Sequence, residues 1–158
     1  ATRVGSGPFP TELNGEIATK LREAGKEYGA STGRPRRVGW LDGVALRHTM
    51  DLNYRKNEPR VIALTKLDVL EGFSPRLCTG YYLPNKRDIN YYNTKDVHDA
   101  SMGTYIDFGE IENIKDVNKI RDMTPSNARR YLEEIERIAD GEVMLIGKGA
   151  KRGDIIVG

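Results

Sequence analysis

The chain has 158 residues, 38% of them hydrophobic and 30% charged, which suits one domain able to bury a real core. Lys and Arg number 25 against 23 Asp and Glu, and a formal charge of +2 excludes the broad basic excess of a general nucleic-acid or membrane-surface binder. The single cysteine, Cys78, excludes an internal disulfide framework and a cysteine metal cluster, and its strand-like surroundings make it a small core residue.

The opening stretch "ATRVGSGPFPTEL" has no initiator Met and reads as the interior of a longer polypeptide. No apolar run reaches membrane-spanning length and no signal-peptide pattern opens the chain, so a reducing, cytoplasmic setting is expected. Residues 15–28 read as a helix with Ile17, Leu21, Ala24 and Tyr28 on one face and Gly29 as its stop. A second helix follows, with Leu41, Val44, Ala45, His48 and Leu52 at helical spacing. "RVIALTKLDVL" (60–70) is a nearly continuous apolar run, the signature of a strand buried on both faces. "RLCTGYYL" and "DINYY" flank "PNKR" as an antiparallel hairpin. Residues 94–123 are weakly patterned and read as a long excursion rich in turns.

The clearest helix is 125–139, with Thr124 as N-cap, Pro125 in the first turn and Gly141 at its end. Ala128, Tyr131, Leu132, Ile135 and Ala139 form its buried stripe. "EVMLIGKG" returns as a strand that runs into a glycine-rich basic loop. Strands alternating with helices predict an α/β protein, part of a largely parallel sheet flanked by helices, with the hairpin appended. There is no internal repeat, and residues 1–158 read as a single domain or a fragment of one.

Positive charge is concentrated at Arg34, Arg36 and Arg37 and again at Lys148, Lys151 and Arg152. In "GASTGRPRRVGW" (29–40), Gly33 lets backbone approach a ligand, and Ser31 and Thr32 offer hydroxyls. Arg34 and Arg36 alternate about Pro35, and their forked guanidiniums suit dicarboxylates and phosphates because both hydrogen bonds form in one plane. Arg34 and Arg36 are expected on one side of an extended loop, with Arg37 facing elsewhere in a structural role or paired with an acid. Like charges and the Gly33 hinge predict a loop that is mobile without ligand.

"TKLD" (65–68) lies at the carboxyl end of a strand, the edge where open α/β sheets bind ligands. An Asp there can accept from the N1–H and exocyclic amine of guanine, whereas adenine would leave the carboxylate unsatisfied. "VGSGPFP" (4–10) is a poor phosphate cradle, because Pro8 and Pro10 lack N–H donors and no GK[ST] follows. "GKGAKRG" (147–153) fails that pattern too, yet its glycines can approach a planar ligand closely. His48 reads as a packed, hydrogen-bonded histidine despite nearby Asp51, and His98 as exposed. No His/Cys/carboxylate cluster has metal-ligand spacing, so no metal site is expected from these residues.

Taken in order, "TRVGSGPFPTEL", "EYGASTGRPRRVGWLD", "LTKLDVL" and "GKGAKR" closely resemble the carboxyl-terminal half of the adenylosuccinate synthetase family, whose fold is similar to that of P-loop NTPases. The resemblance runs from Thr2 to about Arg152, dense to Asp42 and loose from about 72 to 125. It implies GTP-dependent joining of L-aspartate to inosine monophosphate (IMP), yielding adenylosuccinate, GDP and phosphate on the route to AMP. In that family the purine O6 is first phosphorylated, and the aspartate amine then displaces the phosphate.

By the same resemblance, Ala30, Ser31, Thr32, Gly33, Arg34, Pro35 and Arg36 would form the mobile aspartate loop. Val4 and Arg34 would meet IMP. Arg36, Lys66, Leu67, Asp68, Gly147, Lys148 and Gly149 would meet GTP. Ser31 stands where many relatives carry Thr, and Gly147 where a hydroxyl residue is common, so Gly147 brings no side chain to the base. The phosphate loop, the catalytic Asp and His and the Mg2+ ligands belong to the family's amino-terminal half, leaving no catalytic group in these residues. The implied partners are IMP, L-aspartate, GTP, the amino-terminal half and a second subunit in a homodimer, with no nucleic acid and no membrane. An alternative is a non-catalytic guanine-nucleotide-binding module whose arginine loop serves another anion. An RNA-binding domain finds little support in near-neutral charge without aromatic–basic patterning.

Overall fold

The computed structural model describes residues 1–54, 57–83, 88–90, 102–114, 116–123 and 126–158. The chain forms two compact units, one from residues 1–45 and 76–106 and the other from residues 46–75 and 107–158. The α/β class expected from the sequence is borne out, with small mixed sheets in both units.

In the first unit, β1 (Thr2–Arg3) pairs antiparallel with β2 (Arg37–Val38), setting Thr2 opposite Val38 and Arg3 opposite Arg37. The segment between them is tied down at Thr11, whose hydroxyl donates to the Trp40 carbonyl at 2.9 Å in the interior. Gly39 is glycine because a Cβ there would sit 2.8 Å from the Phe9 ring.

Helix α1 (Gly15–Gly25) is three residues shorter than the sequence predicts, because Lys26 turns left-handed (φ 50°) and Lys26–Tyr28 join the arginine hairpin. Its buried face is Ala18, Leu21 and Gly25, so of the expected stripe Leu21 alone is buried and Ile17 is 41% exposed. Small residues make that face, and a pattern of large apolar residues does not reveal it.

Leu41, expected on a helix, instead forms β3 with Asp42 (Leu41–Asp42), parallel to β5 (Arg76–Tyr82). Asp42 then caps α2 (Gly43–Asn53) by accepting from the Ala45 N–H at 3.0 Å. The expected hairpin is present: β5 pairs antiparallel with β6 (Asp88–Ile89), while its turn at 84–87 lies outside the described residues. A strand the sequence did not reveal, β7 (Met102–Asp107), also pairs with β5.

Val44, Cys78, Tyr81, Leu83 and Ile89 form one core cluster of this unit, with Tyr105 packed against it. Tyr81 donates to Asp42 at 2.8 Å, and burial pushes the Asp42 carboxyl above its ordinary range against that bond and the α2 N–H donors. Burial also pushes the Cys78 thiol up to about 12, so the cysteine is the inert core residue expected.

In the second unit, β4 (Val61–Leu64) pairs parallel with β8 (Glu142–Gly147), which pairs antiparallel with β9 (Ile155–Val157). The expectation of a strand buried on both faces fails at β4, where Val61 is 43% exposed and the strand stops after four residues. β4 is the edge of this sheet, so its apolar residues lack a neighbouring strand among the described residues.

Helix α3 (Asn127–Ala139) buries the whole expected stripe and Ile138 besides. Thr124 and Pro125 lie outside the described residues; the N-cap is Ser126, whose hydroxyl accepts from the Arg129 N–H at 3.2 Å. Glu112 reinforces that end by accepting from the N–H groups of Asn127 (3.0 Å) and Ala128 (3.2 Å). The helix closes on left-handed Asp140 (φ 50°), one residue before the expected stop; Gly141 instead allows backbone to pass within reach of the Arg60 carbonyl.

Candidate functional site

In the first unit the arginine stretch folds as a hairpin. Gly29 N–H donates to the Arg34 carbonyl (2.9 Å), Gly33 N–H to that of Gly29 (2.8 Å) and Arg36 N–H to that of Glu27 (3.0 Å). Gly33 sits at φ +63°, where a side chain would be strained, which accounts for a glycine at the tip. The hairpin walls a cavity of about 730 Å³, lined by Val4, Thr32, Arg34, Pro35 and Arg36 among the expected residues. Ala30, Ser31 and Gly33 form its exposed tip and do not line the cavity.

The cavity's arginines differ in what already satisfies them. Arg37 donates through Nε to Glu12 (2.8 Å) and through Nη1 to the carbonyls of Gly7 (2.7 Å) and Gly5 (3.1 Å), and it lies over the Phe9 ring. The Arg37 hydrogen bonds hold the Glu12 carboxyl below its ordinary range and raise the Arg37 guanidinium in turn. The structural, acid-paired role expected of Arg37 is thus borne out, although it lines the same cavity and does not face elsewhere.

Arg36 is held at three points: its Nη1 donates to buried Glu27 at 3.1 Å, its N–H to the Glu27 carbonyl, and its own carbonyl accepts from Arg22 Nε at 2.9 Å. Arg34 is exposed, and among the described residues its guanidinium meets no carboxylate. One matched arginine, one oriented arginine and one unmatched arginine therefore share a cavity that can receive an oxyanion.

In the second unit the "TKLD" stretch leaves β4 and turns sharply. Lys66 is left-handed (φ 61°, ψ 38°), an uncommon state for a non-glycine residue, and it starts a 3-10 turn over Leu67–Leu70. Leu67 becomes core, 1% exposed, so it can offer a ligand backbone alone. Asp68 Oδ1 is buried and, among the described residues, has no hydrogen-bond partner. Such an acceptor costs roughly 1–3 kcal/mol until something donates to it.

Gly147 lies against this turn: a Cβ there would be 3.4 Å from both Thr65 Cα and Lys66 N. The structure thus brings Gly147 against Thr65 and Lys66, just before Leu67 and Asp68, as the parallel pairing of Leu64 with Ile146 requires. Lys148 turns its ammonium to the Val117 carbonyl (2.6 Å), so its side chain supports the fold. Gly149 allows Asp154 to close the loop, since a Cβ would lie 2.8 Å from Asp154 Cγ.

His48 is half-buried, and Asp51 accepts from Arg60 (2.7 Å). His98 lies outside the described residues. Sequence reasoning missed Arg3, Gly5 and Ser6 on the cavity wall and Glu27 behind it. The signal for Glu27 was an acid directly before the loop; Arg3 had none until the β1–β2 register was known.

Fold and side chains together define an α/β protein with an arginine-lined cavity in one unit and an orphaned, buried carboxylate oxygen in the other. The chain belongs to the adenylosuccinate synthetase family, whose model matches residues 1–156. It is 40% identical over 158 residues to the adenylosuccinate synthetase of Pelotomaculum thermopropionicum and 43% identical over 157 residues to that of Halothermothrix orenii. These alignments take in 99% and 98% of this chain but 36% of each relative, so the chain spans just over a third of their length. A solved structure of fully ligated adenylosuccinate synthetase from Plasmodium falciparum superimposes with a TM-score of 0.85 at 35% identity, covering 100% of this chain and 38% of that one.

Proposed function

We propose that this chain supplies the aspartate- and guanine-binding residues of a GTP-dependent ligase that joins L-aspartate to IMP, giving adenylosuccinate, GDP and phosphate in purine biosynthesis. The observation that carries the reading is the orphaned, buried Asp68 Oδ1, two residues beyond the Lys66 backbone that lies against Gly147. A guanine presents two adjacent donors to such a carboxylate, and adenine presents no matching pair. GTP therefore fits the residues present, with Lys66 and the Gly147–Gly149 backbone around the base.

Arg34 is the ligand arginine of the cavity, taking an aspartate carboxylate with help from Thr32 and the Ala30–Gly33 tip, and reaching IMP beside Val4. Arg36, held by Glu27, is the arginine assigned to the GTP side. Binding energy of this kind positions reactants, while proton transfer and phosphate activation fall to groups outside these residues. Mg2+ would supply charge neutralisation on the phosphates. Among the described residues no group of three His, Cys, Asp or Glu side chains could hold a metal ion, and the ligands are assigned to the amino-terminal part of the enzyme. No described helix is long and apolar enough to cross a membrane, and the family resemblance favours a cytoplasmic homodimer.

The test is turnover. A full-length protein containing this chain, given GTP, IMP, aspartate and Mg2+, is expected to form adenylosuccinate, whereas the 158-residue chain by itself is expected to form none. Wild-type GTP dependence in a full-length Asp68→Asn variant would remove Asp68 from the base site, and absent turnover by the full-length wild type would favour a non-catalytic module.

A further inference from the structure

Arg3 faces Arg37 directly in the β1–β2 register. Residues opposite one another in an antiparallel pair share a face, and like charges there repel. The Arg37 charge is answered by Glu12, whereas among the described residues no carboxylate lies within ion-pair reach of Arg3. Arg3 nevertheless lines the same cavity as Arg34, so two unmatched guanidiniums meet the same space.

The intervening glycines support this placement. Gly5 (φ +91°) turns the chain, and the carbonyls of Gly5 and Gly7 accept from Arg37, folding the loop around that side chain. Arg3 lies across Gly7, where an added Cβ would sit 2.8 Å from Arg3 Cζ and 3.2 Å from its Nε. A stretch that lacks the donors of a phosphate cradle thus serves as the bed of an arginine.

We propose that Arg3 is a ligand-binding residue of this cavity, sharing with Arg34 one oxyanion of a small ligand, a carboxylate or a phosphate. A planar guanidinium with no counter-ion, opposite another cation, is relieved by a ligand that brings negative charge in bidentate geometry. The proposal rests on reading the cavity as the anion site of the ligase, but its test needs no turnover.

Inorganic phosphate and succinate are titrated by calorimetry into the full-length protein and its Arg3→Met, Arg3→Lys, Arg34→Leu and Gly7→Ala variants. Arg3→Met is expected to weaken one of the two anions by about ten- to a hundredfold, the range for a charge-assisted hydrogen bond. Loss of phosphate marks the nucleotide side, and loss of succinate marks the amino-acid side. Arg3→Lys should weaken it less than Arg3→Met, since it keeps the charge and loses the fork. Gly7→Ala retains the arginine but displaces its tip, and should weaken the same anion with an unchanged Tm. Wild-type affinity for both anions in Arg3→Met overturns the proposal, as does a lowered Tm with unaltered affinity, or no measurable anion binding by the wild type. Failure of the ligase reading would show separately, as absent adenylosuccinate formation by a protein that still binds these anions through Arg3.

Discussion

In the first unit four arginines wall one cavity, and two of them arrive with acids attached: Arg37 with Glu12 and Arg36 with Glu27. In the second unit a glycine backbone lies against the Lys66 turn, and a single carboxylate oxygen is buried with nothing to accept from. The first region can relax in water, because exposed guanidiniums hydrate cheaply and the paired ones are neutralised. The second cannot, since a buried acceptor without a donor loses its water and gains nothing until a ligand arrives. An arginine-walled cavity favours ligands by charge and planarity, and an orphaned buried acceptor favours them by the pattern of donors they offer.

The contrast predicts where substitution hurts most. Asp68→Asn in the full-length enzyme keeps the shape of the buried site but removes its charge and one acceptor. GTP use should fall by roughly two decades in kcat/KM, a few kcal/mol for a hydrogen-bonded buried charge. Steady-state kinetics with GTP varied will read it, and a change confined to aspartate would break the assignment of the two regions.

Arg34→Leu comes next. Removing an unmatched guanidinium should cost about 1.5–3 kcal/mol, or one to two decades in kcat/KM for aspartate, with little change in Tm. Wild-type aspartate kinetics would reduce the hairpin to a solvated turn.

Arg37→Leu should behave in the opposite sense. It strands Glu12 and frees the Gly5 and Gly7 carbonyls, so stability should drop by about 1–2 kcal/mol in denaturant unfolding while aspartate KM moves little. A KM effect larger than the stability effect would make Arg37 a ligand residue and erase its distinction from Arg34.

The smallest effect concerns acid. The Glu12 carboxyl is held below its unfolded value by Arg37, so its contribution is complete above the ordinary carboxylate pKa and is lost as pH falls through the folded value. Glu12→Gln should therefore flatten the stability profile below about pH 4 while lowering stability near neutrality. An unchanged acid limb would show that the pair contributes nothing measurable.

Much of this was legible in the residues. The α3 stripe could be read because large apolar side chains recur at helical spacing on a polar background. The hairpin of β5 and β6 and the strand β8 were equally plain. The arginine loop and "TKLD" are weak signals singly, since a solvated turn and a charged strand end are common, and it was the family resemblance across all four stretches that assigned them ligands. The face of α1 was legible only at Leu21, because the rest of it is Ala18 and Gly25, which carry little hydrophobic signal. β7 was hidden for a related reason, since a strand flanked by turn-rich sequence declares itself through its partner, β5.

The amino-acid sequence by itself determined the α/β class, the family and the chemistry of the groups proposed to meet oxyanions and a base, because those follow from residue chemistry and local periodicity. Tertiary structure decided which of the arginines keeps a charge to offer. Arg34, Arg36 and Arg37 are chemically alike, and so is Arg3; what separates them is whether Glu12 or Glu27, 25 and 9 residues away along the chain, has folded back to within hydrogen-bonding distance. The same holds for Asp68, whose oxygen is buried without a donor in the turn that Lys66 starts, a consequence of packing that four letters of sequence do not contain.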